Sequence, residues 1–144
     1  PLLSLNDIDR EGIRIGVTEG DTADLVLTRT LKSAELWRNK GGDMEAAFRA
    51  LQAREIAAYA TNRQRLHELS QIHAGLRLLP ENFYGVEQSI IVSKGNTRLL
   101  ETVQNFLDEA RSSGLVASAI ARSGIVGLDV APPRDQQNRA KAAD

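Results

Sequence analysis

Three consecutive residues, Gly20-Asp21-Thr22, have the types and spacing that could bind an anion. Glycine permits close approach of a ligand to the backbone, and a threonine hydroxyl can donate to a carboxylate or phosphate oxygen. If a helix begins here, its unpaired N–H groups add a partial positive charge of roughly half a unit. Because Asp21 would repel a phosphate, a carboxylate is the better ligand. The alternative interpretation is that Asp21 and Thr22 only cap the helix.

Two further candidates follow a later apolar run. Asn62 has a neutral amide that can hydrogen bond to a ligand, and Arg63 could bind an anion through two parallel N–H bonds. A solvated turn is the alternative interpretation for Arg63. Tyr59 and Trp37 could stack on a ligand or fill the core. For Tyr59 the core is favoured, because the residue lies in the middle of a predicted strand.

The same positions do not predict catalysis or a cofactor. Thr22, Asn62 and Arg63 supply no well-placed general acid or base, so we expect no catalytic residue. His67 and His73 are six positions apart and would lie on different faces of a helix, so we expect surface histidines and no metal site. The chain has no cysteine, which excludes disulfides and thiolate chemistry.

Composition bounds the class of protein. The 144 residues are enough for one ordinary core, and the net charge is −1, from 18 Lys and Arg against 19 Asp and Glu. That balance provides no field to hold nucleic acid or an anionic membrane, so we expect no nucleic-acid partner. No apolar run approaches the roughly 20 residues that cross a bilayer. A start at Pro1 rather than at methionine suggests a processed or trimmed product.

The elements that would position these residues alternate between strand and helix. The pattern predicts strands at Arg14–Val17, Ala34–Trp37 and Ile56–Ala60, each followed by a helical pattern capped at Asp21 or Thr22, at Asp43 and at Asn62. Strands separated by helices of about ten residues predict a mainly parallel sheet with right-handed crossovers. Two more strands are predicted, at Leu76–Leu79 and Val86–Val92.

The character of the chain changes after residue 96. Apolar residues at helical spacing predict a long amphipathic helix closed by Gly114, followed by a shorter one at Leu115–Ile120. Beyond Val130 the chain is polar and has no apolar periodicity, which predicts a disordered tail. The fold class is therefore α/β, a three-layer arrangement of a mainly parallel sheet with flanking helices.

The opening of the chain resembles the second lobe of the bacterial extracellular solute-binding proteins of family 3, the periplasmic receptors that deliver polar amino acids to ABC importers. The residues that match the characteristic run of that lobe are Asp7, Ile8, Gly12, Ile15, Gly16, Val17, Gly20 and Thr22. Further similar stretches are residues 56–62, residues 84–96 and the helices up to Gly114, so the resemblance covers roughly residues 1–128.

The resemblance implies a type II periplasmic-binding-protein lobe plus C-terminal helices. In the family the turn equivalent to Gly20-Asp21-Thr22 donates hydrogen bonds to the carboxylate of the solute, which makes Thr22 the leading contact. Asn62 stands where the family has the acid that receives the solute's α-amino group, and Ala57 replaces an earlier Asp of the same motif. These departures weaken the match to an ordinary amino acid, since a charge-assisted bond worth about 1.5–3 kcal/mol is lost.

The resemblance also implies the organisation and partners. We expect a solute-binding lobe at 1–92, a helical segment at 93–128 that in the family packs on a first lobe, and a tail at 129–144. No equivalent of that first lobe precedes Pro1, so we expect a homodimer through the C-terminal helices. The expected function is binding of a small carboxylate-bearing solute for an ABC permease, in the periplasm, without enzyme activity. A dehydratase-like enzyme and a sensor or interaction domain are the alternatives.

Overall fold

The computed structural model describes Ser4 and residues 7–132. The chain divides into two compact units, with the boundary between Gly85 and Val86. The expected tail at 129–144 lies outside the described residues from position 133 onward. Among the described residues, none of the helices combines the length and the hydropathy that crossing a bilayer requires.

The first unit alternates strands and helices, as the sequence predicts. Its strands are β1 (Arg14–Thr18), β2 (Glu35–Asn39) and β3 (Ala58–Ala60), and its helices are α1 (Thr22–Thr30), α2 (Met44–Gln52) and α3 (Arg63–Ile72). The sheet has the order β2-β1-β3, and both pairings are parallel. The mixed α/β class and the parallel sheet are therefore confirmed. A 3₁₀ turn at Lys40–Gly42 separates β2 from α2.

Two apolar clusters cover the two faces of the sheet. Ile15 and Val17 point to the face covered by Ala23 and Leu27 of α1. On the other face, Tyr59 and Ile56 pack with Ala47 and Ala50 of α2. This alternation follows from the period-two geometry of strands, which sends successive side chains to opposite faces.

Gly16 in the middle of β1 leaves room for the ring of Tyr59, which packs across it. The strand register pairs Gly16 with Tyr59, and a Cβ at position 16 would lie 2.5 Å from Cδ2 of Tyr59 and 2.7 Å from Cδ1 of Ile56. Only a residue without a side chain leaves room for this packing.

The N-terminal segment is attached to the far end of α1. Ile8 is buried in the same cluster as Ile15 and Val17. The Asp9 carboxylate accepts hydrogen bonds from the backbone N–H groups of Lys32, Ser33 and Ala34 at 2.8–3.1 Å. The Ala34, Ser33 and Lys32 bonds, in that order of effect, hold the pKa of Asp9 below its ordinary value.

The two additional predicted strands are absent from the described chain. Leu76–Leu79 and Val86–Val92 have no regular secondary structure. The first leads into Pro80, and the carbonyl groups of Leu79, Pro80 and Glu81 accept bonds from Arg63 instead of from a neighbouring strand. The second lies in the unit that begins at Val86, whose described residues contain no strand to pair with it. A strand without a neighbour cannot satisfy its backbone hydrogen bonds.

The second unit contains α4 (Thr97–Ser112) and α5 (Leu115–Ser123). Asn96 caps α4 by accepting the N–H of Leu99 at 3.1 Å, and the left-handed residue Gly114 separates the two helices. Ala110 is the buried residue of α4, and α5 has none. Large apolar side chains of these helices are exposed, namely Leu99, Leu100, Phe106 and Leu115.

Candidate functional site

The candidate residues follow two neighbouring strands at the carboxyl edge of the parallel sheet. Because β1 and β3 are parallel neighbours, the segments that follow them, 19–22 and 61–63, lie at the same edge. Helix α1 packs on one face, whereas Leu66 of α3 joins the cluster on the other face. The chain thus leaves β1 and β3 toward opposite sides, which is the arrangement that opens a crevice at the edge of an α/β sheet.

The turn Gly20-Asp21-Thr22 is the start of α1. Gly20 has φ +77°, a left-handed conformation that favours glycine. Asp21 is the N-cap, and its carboxylate accepts the N–H of Asp24 at 3.0 Å. The capping interpretation is therefore confirmed for Asp21.

A second carboxylate of the chain already occupies part of this turn. Asp24, which is 7% exposed, accepts the backbone N–H of Gly20 at 2.9 Å. The same carboxylate accepts the Thr28 hydroxyl at 3.1 Å and Nε of Arg38 at 3.0 Å. The Gly20 bond, then the Thr28 and Arg38 contacts, hold the pKa of Asp24 below its ordinary value although burial opposes them. Gly20 is thus not a free donor for a ligand.

Thr22 keeps its donors available. The residue is exposed, and neither its hydroxyl nor its N–H has a hydrogen-bond partner among residues 7–132. Its N–H belongs to the first turn of α1, where the helix leaves donors unpaired and positively polarised. Thr22 therefore presents two donors to solvent at the carboxyl edge.

Asn62 and Arg63 are engaged with their own surroundings. Asn62 is the exposed N-cap of α3, and its side-chain oxygen accepts the N–H of Arg65 at 2.9 Å. Its amide nitrogen remains able to donate. Arg63 donates to the carbonyl groups of residues 79–81 at 3.0–3.1 Å and to Oδ1 of Asn82 at 2.9 Å. Arg63 therefore fastens the 79–82 loop to α3, a role that the sequence does not reveal.

A polar network links the ends of the three strands at this edge. The hydroxyls of Thr18 and Tyr59 lie 2.9 Å apart, and Nδ2 of buried Asn39 donates to the Asp43 carbonyl at 2.7 Å and to the Tyr59 hydroxyl at 3.3 Å. Arg65 adds a bond of 3.0 Å to the Gly42 carbonyl. Tyr59, 8% exposed, is thus a core residue whose hydroxyl joins the ends of all three strands.

The histidines and acids do not form a metal centre. His73 is not a freely exposed side chain, because its ring stacks on Phe48 at 3.6 Å and its Nε2 lies 2.9 Å from Oε1 of Glu45. In the described part of the chain, no three His, Asp or Glu side chains are grouped so that they could hold an ion.

One concavity of the first unit lies away from the candidate residues. It is an open pocket between α1 and β2, lined by Leu27, Thr28, Leu31, Ala34, Leu36 and Arg38. This pocket does not include Thr22 or Asn62. Because Thr22 and Asn62 are exposed, a ligand bound by them would need a second surface to enclose it.

Comparisons with protein-family models, with curated protein sequences and with solved structures found no match to this chain.

Proposed function

We propose that this chain binds a small carboxylate-bearing solute, an amino acid or a related compound, as a type II periplasmic-binding-protein lobe serving an ABC importer. The observation that carries the proposal is the exposed pair of donors on Thr22, at the N-terminus of α1 and the carboxyl edge of a parallel sheet. A carboxylate suits such a pair, because one oxygen can accept the N–H and the other the hydroxyl.

The surrounding charges favour a singly charged ligand. Asp21 caps α1 and Asp24 lies in its first turn, where Asp24 forms an ion pair with Arg38. A phosphate would meet two carboxylates at close range, which opposes its second negative charge. The amide of Asn62 supplies a neutral hydrogen-bonding group on the neighbouring segment.

The proposal includes the partners that the resemblance implies. The receptor would act in the periplasm and deliver its solute to an ABC permease, without enzymatic conversion. The exposed apolar side chains Leu99, Leu100 and Phe106 of α4 support a covered surface in the working protein. In the family that the chain resembles, the corresponding helices pack on a first lobe, and a partner surface of that kind would provide the cover.

The test is a thermal-shift screen of amino acids, small carboxylates and opines. A ligand at about 100 times its Kd stabilises the folded state by about 2.7 kcal/mol, which raises Tm by several degrees. We expect Thr22→Val to weaken binding about tenfold, because it removes one hydroxyl donor to a charged acceptor.

The matched control is Thr30→Val in the same helix, whose hydroxyl bonds the Val26 carbonyl at 3.0 Å. It should bind as the wild type does. A screen in which no compound raises Tm, or in which Thr22→Val and the wild type respond alike, would overturn the proposal.

A further inference from the structure

The outer side of β2 is an unpaired strand edge. Glu35 donates to the Ile13 carbonyl at 2.9 Å, and the Asn39 carbonyl accepts from Glu19 at 3.1 Å, so both residues bond toward β1. Because bonding direction alternates along a parallel strand, the backbone groups of Leu36 and Arg38 point away from β1. Among the described residues, none bonds to those groups.

The charged side chains of this edge each have a partner of opposite charge in the same copy, so the edge carries little net charge although the individual charges remain. Strand edges avoid pairing through uncompensated charges, prolines or bulges. In β2, Glu35 pairs with Arg14 at 3.5 Å and Arg38 pairs with Asp24 at 3.0 Å, and the strand contains no proline or lysine. The edge is thus close to neutral and continuous over its length.

The flank beside this edge is also open. The pocket between α1 and β2 is lined by the partly buried Leu31 and Leu36, with the buried Leu27 at its base, along the same side of the sheet. No described segment of the first unit fills it. The edge therefore has both free backbone groups and an apolar margin, which are the two requirements for strand addition.

We propose that a second copy of this chain pairs with β2 in antiparallel fashion, with a two-fold axis through Trp37. Leu36 of each copy then lies opposite Arg38 of the other, and the two pairs exchange N–H···O bonds. The two three-stranded sheets join into one of six strands. A two-fold pairing of this kind uses the β2 edge of both copies, so this contact joins two copies and no more.

The neighbouring registers are disfavoured by particular residues. A shift in one direction places Arg38 directly opposite Arg38 of the second copy, and like charges facing each other destabilise a strand pair. A shift in the other direction would pair the backbone N–H and C=O of Ala34 with the second copy. The Ala34 N–H, however, already donates to the Asp9 carboxylate at 3.0 Å. The register centred on Trp37 avoids both conflicts.

Trp37 lies at the position of closest side-chain approach. It would occupy a non-hydrogen-bonded pair, in which facing Cα atoms are about 4.5 Å apart. Its half-buried ring lies on the face covered by α2, next to the Ile56 and Tyr59 cluster. The two rings would meet across the axis, and cross-strand aromatic pairs are among the more stabilising.

The first experiment exploits the absence of cysteine from the chain. In Trp37→Cys the two facing Cα atoms of the proposed dimer would be about 4.5 Å apart. This separation lies within the range of about 4.4–6.8 Å that a disulfide spans. Mild oxidation should yield a covalent dimer from this variant. Ala58→Cys, on β3 at the opposite edge of the sheet, and Phe106→Cys, on α4, are the controls and should remain largely monomeric under the same conditions.

The second experiment leaves Trp37 in place. Leu36→Lys puts a cation opposite Arg38 of the second copy, so we expect the dimer dissociation constant to rise at least tenfold in sedimentation equilibrium. Ala58→Lys introduces a lysine on β3 instead and should leave the dimer dissociation constant unchanged. Circular dichroism would verify that both variants fold.

Two results would overturn the proposal. One is a wild-type chain that remains monomeric at millimolar concentration. The other is a dimer that is cross-linked by Phe106→Cys and not by Trp37→Cys, which would assign the interface to the C-terminal helices. Neither result depends on solute binding, because both experiments are done without ligand.

Discussion

At the scale of the residue, the turn at the start of α1 was predictable in type but not in its internal contacts. Gly20 and Asp21 have the local roles that their sequence predicts, a left-handed turn and a helix cap. The occupation of the Gly20 N–H by Asp24 was not predictable, because Asp24 is oriented by Arg38, which lies 14 residues away on β2. Contacts made through the sheet are not encoded in local spacing.

The Asp24 network predicts a dependence of stability on pH. A carboxylate whose pKa is lowered in the folded state stabilises the fold above its unfolded pKa, and this contribution is lost as the pH falls through the folded value. We expect Asp24→Asn to reduce the free energy of unfolding at pH 7 by about 1–3 kcal/mol, because a charge-assisted network is broken. The difference from the wild type should shrink as the pH drops below about 4.

Urea denaturation at pH 7 and pH 3 measures this effect. Asp108→Asn on α4 is the control, since its 3.3 Å contact with Arg111 is exposed and surface pairs contribute little. An Asp24→Asn deficit that is equally large at both pH values would contradict the prediction.

Gly16 provides a second residue-scale prediction. An added methyl group would lie 2.5 Å from the Tyr59 ring, so Gly16→Ala should reduce the free energy of unfolding by about 1–3 kcal/mol. Gly85→Ala serves as the control, because nothing lies within 4 Å of its Cβ position. Chemical denaturation compares the two, and equal midpoints would show that Tyr59 moves aside without cost.

At the scale of the element, the sequence predicts those strands and helices that neighbour each other along the chain. The first three strands and the helices that follow them occur within a few residues of their predicted positions, because apolar periodicity and capping residues are local signals. The predicted strands at 76–79 and 86–92 do not occur. Their apolar residues match a strand pattern, yet whether a strand forms depends on a neighbour with free hydrogen-bonding groups.

Arg63 bonds to the loop after α3, whose residues Leu79 and Phe83 also pack on the cluster beside α1, and this leads to an element-scale prediction. Its guanidinium holds three consecutive carbonyl groups, so Arg63→Ala should release the loop at 79–82 while the sheet stays folded. We expect faster chymotryptic cleavage after Phe83 and little change in circular dichroism. Arg29→Ala on the exposed side of α1 is the control, and equal cleavage rates for both variants would contradict this role.

At the scale of the whole molecule, the fold class is explained by the sequence, and the arrangement of surfaces is not. The parallel sheet and its two covered faces follow from strand and helix patterns in residues 14–72. Apolar residues of α4 and α5 are exposed, and the outer edge of β2 is unpaired among the described residues. The sequence predicts that α4 has an apolar stripe, but periodicity does not identify what covers it.

The most direct test of the proposed function is an NMR titration of the ¹⁵N-labelled full chain with the best ligand from the thermal-shift screen. The proposal predicts the largest chemical-shift changes at the amides of residues 20–23 and 61–63, at the carboxyl ends of β1 and β3, and a loss of those changes in Thr22→Val. Shifts confined to the α1–β2 pocket or to α4 and α5, or no saturable shift at all, would contradict it.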